Sequence, residues 1–171
     1  IYLPMRGNAY SALADAYVFS DIERVKNENK KYAILDNDKL VEIRLGNMGI
    51  KESNTVLYTR EEFNFKEDDF LVITVGNRLN FEIQDDLISE VCNLLDKKSN
   101  IKWLLVGEKV DCNYEQFNAK LKEGQIINWG VEENLVSLYR ICNVYLNPDR
   151  RGGGVSIRTA MREGLPVIMR N

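Results

Sequence analysis

The sequence predicts an α/β fold in which a doubly wound, parallel, five-stranded sheet occupies residues 63–171. Three observations carry this. Apolar runs of strand length alternate with amphipathic helical stretches from Phe70 onward. Gly76, Gly107, Gly130 and Asn147-Pro148 punctuate the carboxyl ends of the strands. Residues 147–171, NPDRRGGGVSIRTAMREGLPVIMRN, set three consecutive glycines between an apolar strand and a helix. Strands joined by helices need right-handed crossovers, and the expected strand order is 3-2-1-4-5.

Each element follows from its pattern. Residues 70–75, Phe-Leu-Val-Ile-Thr-Val, form a continuous apolar run suited to a strand buried on both faces. A helix is expected over 83–97, with Leu87, Ile88, Val91, Leu94 and Leu95 on one face. Strands at 101–106 and 125–129 flank a short helix at 113–122. A helix over 132–142 turns Leu135, Leu138, Tyr139 and Cys142 inward. Residues 144–146 and 166–169 complete the strands, with a helix over 156–163 between them presenting Ile157, Ala160 and Met161. Earlier in the chain, 15–20 and 39–45 read as strands around a helix at about 21–31. Residues 46–64 are polar and turn-rich, as an interdomain connection would be.

The 171 residues suffice for one domain plus part of another. Starting at Ile1 and stopping just after an apolar run, the chain reads as a piece of a longer protein, its sheet domain expected to be truncated at the C-terminus. A net charge of −3 and a pI near 5.2 do not suit non-specific nucleic-acid binding. No stretch is long and apolar enough to span a bilayer. Cys92, Cys112 and Cys142 are odd in number and far apart, which disfavours a disulfide framework or zinc site and points to a reducing, cytoplasmic setting. The absence of histidine excludes His-based triads and histidine acid/base chemistry within these residues.

The triple glycine is the most informative local feature. Glycines 152, 153 and 154 let backbone approach a ligand closely, and the helix that follows offers unpaired N–H groups with a partial positive charge. A plain strand-to-helix turn is the competing reading. Arg150, Arg151 and Arg158 favour a phosphate, because guanidinium forks match its oxygens.

The ordered set of motifs resembles the C-terminal, donor-binding half of GT-B-fold glycosyltransferases, of the family 4 or group 1 type. It comprises Val75-Gly76-Asn77-Arg78-Leu79, Leu105-Val106-Gly107, Trp129-Gly130 and the run from Leu138 to Pro148. The triple glycine and Ala160-Met161-x-x-Gly164-Leu165-Pro166-Val167 complete it. The resemblance covers about residues 70–171 and implies a Rossmann-like domain that binds a nucleotide-activated sugar. It assigns Arg78 to the donor diphosphate, places Asn77 in the same donor site, and gives the amides of Gly153, Gly154, Val155 and Ser156 to the sugar and β-phosphate. Gly130 and Val131 fall to the nucleobase, while Arg151, Gly152 and Thr159 belong to the same loop and helix. No metal is implied, since a guanidinium and a helix N-terminus can stabilise the departing diphosphate. Residues 1–62 correspond to the tail of an acceptor domain plus linker. The saccharide, lipid-linked or protein acceptor would sit on an N-terminal domain beyond this chain. No catalytic residue is assigned.

Three positions depart from that family. Its members carry two glutamates where Arg151 and Thr159 stand, and Ile83 stands where a second basic residue is usual. These departures keep two other readings open, a non-catalytic glycosyltransferase-like subunit or interaction module, and another nucleotide-sugar enzyme such as an epimerase.

Remaining candidates have simpler explanations. Asp36-Asn37-Asp38 spells a metal-binding D-x-D but reads as a solvated turn. Asp85-Asp86 and residues 67–69 fit a helix first turn and a loop. Glu82 is placed to pair with Arg78, Trp103 and Trp129 are expected in the core, with Trp129 bordering the base pocket, and Lys97-Lys98 reads as a helix-end pair.

Overall fold

A computed structural model describes residues 17–19, 26, 40–42, 56–150 and 154–170. The chain forms two compact units, Ile1–Ser53 and Asn54–Asn171. In the first, β1 (Tyr17–Phe19) and β2 (Leu40–Glu42) pair in parallel, with Tyr17 beside Leu40. Parallel neighbours need a crossover rather than a tight turn, and Lys26, between them in sequence, is helical. Asp36, Asn37 and Asp38 lie outside the described residues.

The second unit is the sheet domain. Its strands are β3 (Phe70–Gly76), β4 (Ile101–Gly107), β5 (Ile126–Gly130), β6 (Val144–Asn147) and β7 (Val167–Met169). All pair in parallel in the order β5-β4-β3-β6-β7, which is the expected 3-2-1-4-5. The helices are α1 (Leu79–Glu82), α2 (Asp85–Lys97), α3 (Glu115–Lys122), α4 (Leu135–Ile141) and α5 (Gly154–Arg162).

The two-residue period of β3 divides the core. Val72 packs with Trp103 and Leu105 of β4, Leu87, Ile88, Val91 and Leu95 of α2 and Phe117 of α3. Leu71, Ile73 and Val75 join Leu104 and Val106, Leu138 and Tyr139 of α4 and Ala160 of α5. Each fully buried Leu or Ile contributes roughly 1.5–3 kcal/mol, so β3 and β4 stabilise the domain more than the shorter outer strands do. Trp103 is wholly buried, and its indole N–H donates to Thr74 Oγ1 at 3.0 Å.

Three expectations are corrected. Residues 58–62, assigned to a linker, belong to the sheet domain. Arg60 donates to the carbonyls of Ile141, Glu67 and Asp69 and to Asn143 Oδ1, fastening this segment to the amino edge of the sheet. The rings of Tyr58, Phe63, Phe65 and Trp129 cluster beside it. The helix expected from residue 83 begins at Asp85, because Ile83 is extended with its side chain buried in the core, and the short α1 precedes it. On two helices a residue expected in the core faces outward: Leu94 is exposed on α2, and Met161 is exposed on α5, where Thr159 is buried instead.

Burial raises several acid groups. The Cys142 thiol is pushed up to about 12 and Cys92 to about 11 from an ordinary 9.0, and Tyr139 and Tyr145 are also raised. The unfolded thiols ionise above pH 9 while the folded ones keep their protons. Their contribution is therefore present below pH 9 and is lost as pH rises through the folded values. The urea midpoint is expected to fall above pH 9, and the double variant Cys92→Ala, Cys142→Ala should delay the decline to the tyrosine range near 10. A flat midpoint from pH 8 to 11 would contradict this account.

Candidate functional site

The carboxyl edge of the sheet opens where strand order reverses. β3 and β4 stay in register to Gly76 and Gly107, but β3 and β6 pair only at Val72 with Val144 and Ile73 with Tyr145. Beyond that point side chains replace the backbone ladder. Thr74 Oγ1 donates to the Leu146 carbonyl at 2.8 Å, and the Tyr145 hydroxyl donates to the Val75 carbonyl at 3.3 Å. Ligands of doubly wound sheets bind at this divergence. Here it holds a crevice of about 450 Å³ lined by Arg78, Phe81, Glu82, Asp149 and Arg150.

One carboxylate organises the crevice. Glu82 Oε2 accepts from Arg150 Nη1 at 2.7 Å, and Oε1 accepts from Arg78 Nη2 at 3.3 Å. The two guanidiniums differ in environment. Arg78 is 67% exposed, whereas the Arg150 side chain is only 3% exposed and also donates to the Val75 carbonyl, Asn147 Oδ1 and the Tyr145 hydroxyl. Arg150 therefore does not serve as the solvent-facing phosphate fork expected from sequence. It joins the ends of β3 and β6. Gly76 makes room for this pair, since a Cβ there would lie 2.7 Å from Arg150 Nη1 and 2.9 Å from Glu82 Oε2.

The α1 turn is also fastened to the end of β4. Asn80 N donates to Glu108 Oε2, Asn80 Nδ2 donates to the Lys109 carbonyl, and Asn80 Oδ1 accepts from Asp111 N. Arg78, the residue that opens α1, is thus carried on a turn held from both sides. Asn77 is exposed beside it. Phe81, 80% exposed in the crevice, carried no sequence signal beyond being aromatic.

α5 begins at Gly154, so the helix starts two residues earlier than expected and Gly154, Val155 and Ser156 form its first turn. Their N–H groups are those that a helix leaves unpaired. Gly154 and Val155 are exposed, and the Tyr139 hydroxyl donates to the Ser156 carbonyl at 3.4 Å, anchoring this turn to α4. Thr159 is buried and its hydroxyl donates to the Val155 carbonyl at 2.9 Å. It faces its own helix rather than offering a side chain for a ribose. Arg158 donates to the Gly154 carbonyl. Arg151, Gly152 and Gly153 lie outside the described residues.

Gly130 and Val131 sit at the end of β5, separated from β3 by β4. Gly130 has φ +86° and Val131 is 86% exposed. Trp129 packs on Phe63 and Phe65, and its indole N–H donates to Glu132 Oε2. Tyr58 and the Asn134 backbone N–H donate to the other oxygen, so Glu132 holds the loop that follows Gly130. One carboxylate of each acidic cluster has a structural partner. The Arg170 hydrogen bond, with that from Leu87 N, holds the Asp86 carboxyl below its usual range. Asp69 accepts from Lys66 N. Among the described residues no helix is long and apolar enough to cross a membrane.

The fold is matched among known proteins. WaaG, a glycosyltransferase involved in lipopolysaccharide biosynthesis, superposes with a TM-score of 0.67 at 16% identity, over 90% of this chain and 43% of that one. The pneumococcal O-GlcNAc transferase GtfA, in complex with UDP and GlcNAc, gives 0.59 at 20% identity over 92% and 30%. Anabaena HepE, in complex with UDP, gives 0.58 at 16% identity over 91% and 44%. The chain spans less than half the length of each. A RING finger protein of Plasmodium falciparum is 30% identical over 101 residues, which are 59% of this chain and 8% of that protein. The family model for group 1 glycosyl transferases matches residues 58–171, the whole of the sheet from β3 to β7 with its crevice, and the chain belongs to that family.

Proposed function

We propose that the sheet domain binds the nucleoside diphosphate of an activated sugar, as the donor half of a glycosyltransferase acting in carbohydrate biosynthesis. The observation that carries this is the crevice at the strand-order reversal, bordered by the exposed Arg78 and by Asp149 and Arg150 of the segment that follows β6. A guanidinium and a helix N-terminus supply positive potential where a leaving diphosphate accumulates charge, without calling for a metal. Arg78 takes the diphosphate with Asn77 beside it. The amides of Gly153, Gly154, Val155 and Ser156 take the sugar-linked phosphate, and Gly130-Val131 the base. The UDP present with GtfA and HepE supports this reading and suggests the first ligand to try. An acceptor site on a further N-terminal domain, contiguous with residues 1–53, is part of the same proposal. A cytoplasmic setting is supported by the free thiols of Cys92, Cys112 and Cys142.

Calorimetric titration of this chain with UDP, GDP and ADP tests the proposal. One of them is expected to bind with an affinity unchanged by chelator, and Arg78→Ala should weaken it about tenfold or more by removing a charge-assisted hydrogen bond. Gly154→Ala separates a ligand cradle from a mere turn. A Cβ at Gly154 would meet nothing within 4 Å and the backbone there is not left-handed, so melting temperature should hold or rise while affinity drops. Unchanged affinity in both variants would overturn the assignment.

A non-catalytic relative remains the second reading, favoured by one observation. Thr159 stands where the family resemblance places a glutamate, and its side chain is buried against its own helix.

A further inference from the structure

We infer that Glu82 is a positioning residue for Arg78, anchored by the buried Arg150, an inference that rests on the donor-binding reading above. An exposed arginine has many rotamers, and ordering it on binding costs free energy that a preset geometry avoids. An i,i+4 ion pair at a surface does little to restrict it, because the carboxylate is usually as mobile as the guanidinium. This carboxylate is not mobile. Glu82 is 10% exposed, and its Oε2 is held at 2.7 Å by a guanidinium that the Val75 carbonyl, Asn147 Oδ1 and the Tyr145 hydroxyl fix in turn. Its Oε1 is left to hold Arg78 at the mouth of the crevice.

Charge supports the same role. An isolated glutamate beside a phosphate site would repel the ligand, but here Arg150 offsets Glu82 and leaves the positive charge of Arg78 uncancelled. The backbone is prepared as well, since Asn80 ties the α1 turn to the loop after β4 while Glu82 ties it to the loop after β6. Arg78 therefore projects from a turn that cannot swing on either side. Such preorganisation makes a donor effective toward a developing anion.

The test is a binding cycle with UDP and uridine as probes, on this chain. Glu82→Gln removes the anchor, and the double variant Glu82→Leu, Arg150→Met removes the whole buried pair without stranding a charge, so it keeps the domain folded should the single change unfold it. Both are expected to lose about tenfold in UDP affinity, with uridine affinity unchanged. Adding Arg78→Ala to either should cost nothing further, because the unpositioned arginine no longer contributes. Glu82→Asp, with Oε1 withdrawn, should recover only part of the loss. Tighter or unchanged UDP binding in the double variant, or full additivity with Arg78→Ala, overturns the inference while leaving donor binding intact. A parent chain that binds none of UDP, GDP and ADP overturns the donor reading and this inference together.

Discussion

Gly107→Ala is expected to destabilise the sheet domain by about 3–5 kcal/mol, enough to unfold a domain of ordinary stability. Two independent penalties coincide there. Gly107 has φ +111°, which L side chains rarely adopt, and a Cβ would sit 2.2 Å from the Gly76 carbonyl oxygen. The obstacle is backbone, not the tip of a flexible side chain, so relief requires the ends of β3 and β4 to separate. That carbonyl also accepts from Glu108 N at 3.0 Å, and Glu108 in turn receives Asn80 N. Urea denaturation followed by circular dichroism measures the loss directly. The contrast with Gly154→Ala, where a methyl meets nothing, is part of the expectation. A loss below 1 kcal/mol for Gly107→Ala would show that this edge of the sheet relaxes more easily than its register implies.

Removing Glu82 alone should be nearly as damaging, and more so than removing Arg150 alone. Glu82→Leu leaves a guanidinium that is 3% exposed with only neutral acceptors, at a cost of about 3–5 kcal/mol. Arg150→Met leaves Glu82 still facing the solvated Arg78, so its cost is smaller. The double variant should recover most of the stability, because the desolvation of both charges disappears together. Equal costs for the two single variants, with additivity in the double, would mean that the pair is solvated enough to behave as a surface bridge.

Much of this protein was legible in the sequence for a physical reason. A strand buried on both faces must be apolar throughout, a helix between two such strands must be apolar on one side, and parallel strands need crossovers. Residues 70–75 and 101–106 therefore declared β3 and β4, and the alternation with helices implied the order β5-β4-β3-β6-β7. The position of Arg78 at the end of β3 was legible as well, since it rests on local spacing.

What the sequence left open depends on directions that spacing does not set. Arg150 lies beside the glycines in the chain, and its proximity suggested a phosphate fork. The tertiary structure turns it inward, because β3 and β6 part after Tyr145 and expose carbonyls and a tyrosine hydroxyl that need a donor. Thr159 reads as a helix residue facing a ligand until the packing of α5 buries it and Met161 takes the exposed side. Residues 58–62 look like a linker because they are polar, yet Arg60 finds the free carbonyls at the opposite edge of the sheet, partners as far as 83 positions away. By itself the sequence determined which segments become strands and helices, and at which edge of the sheet the strand order reverses. Only the tertiary structure decided which cations face that edge and which are committed to holding it together, since this depends on how far neighbouring strands stay paired.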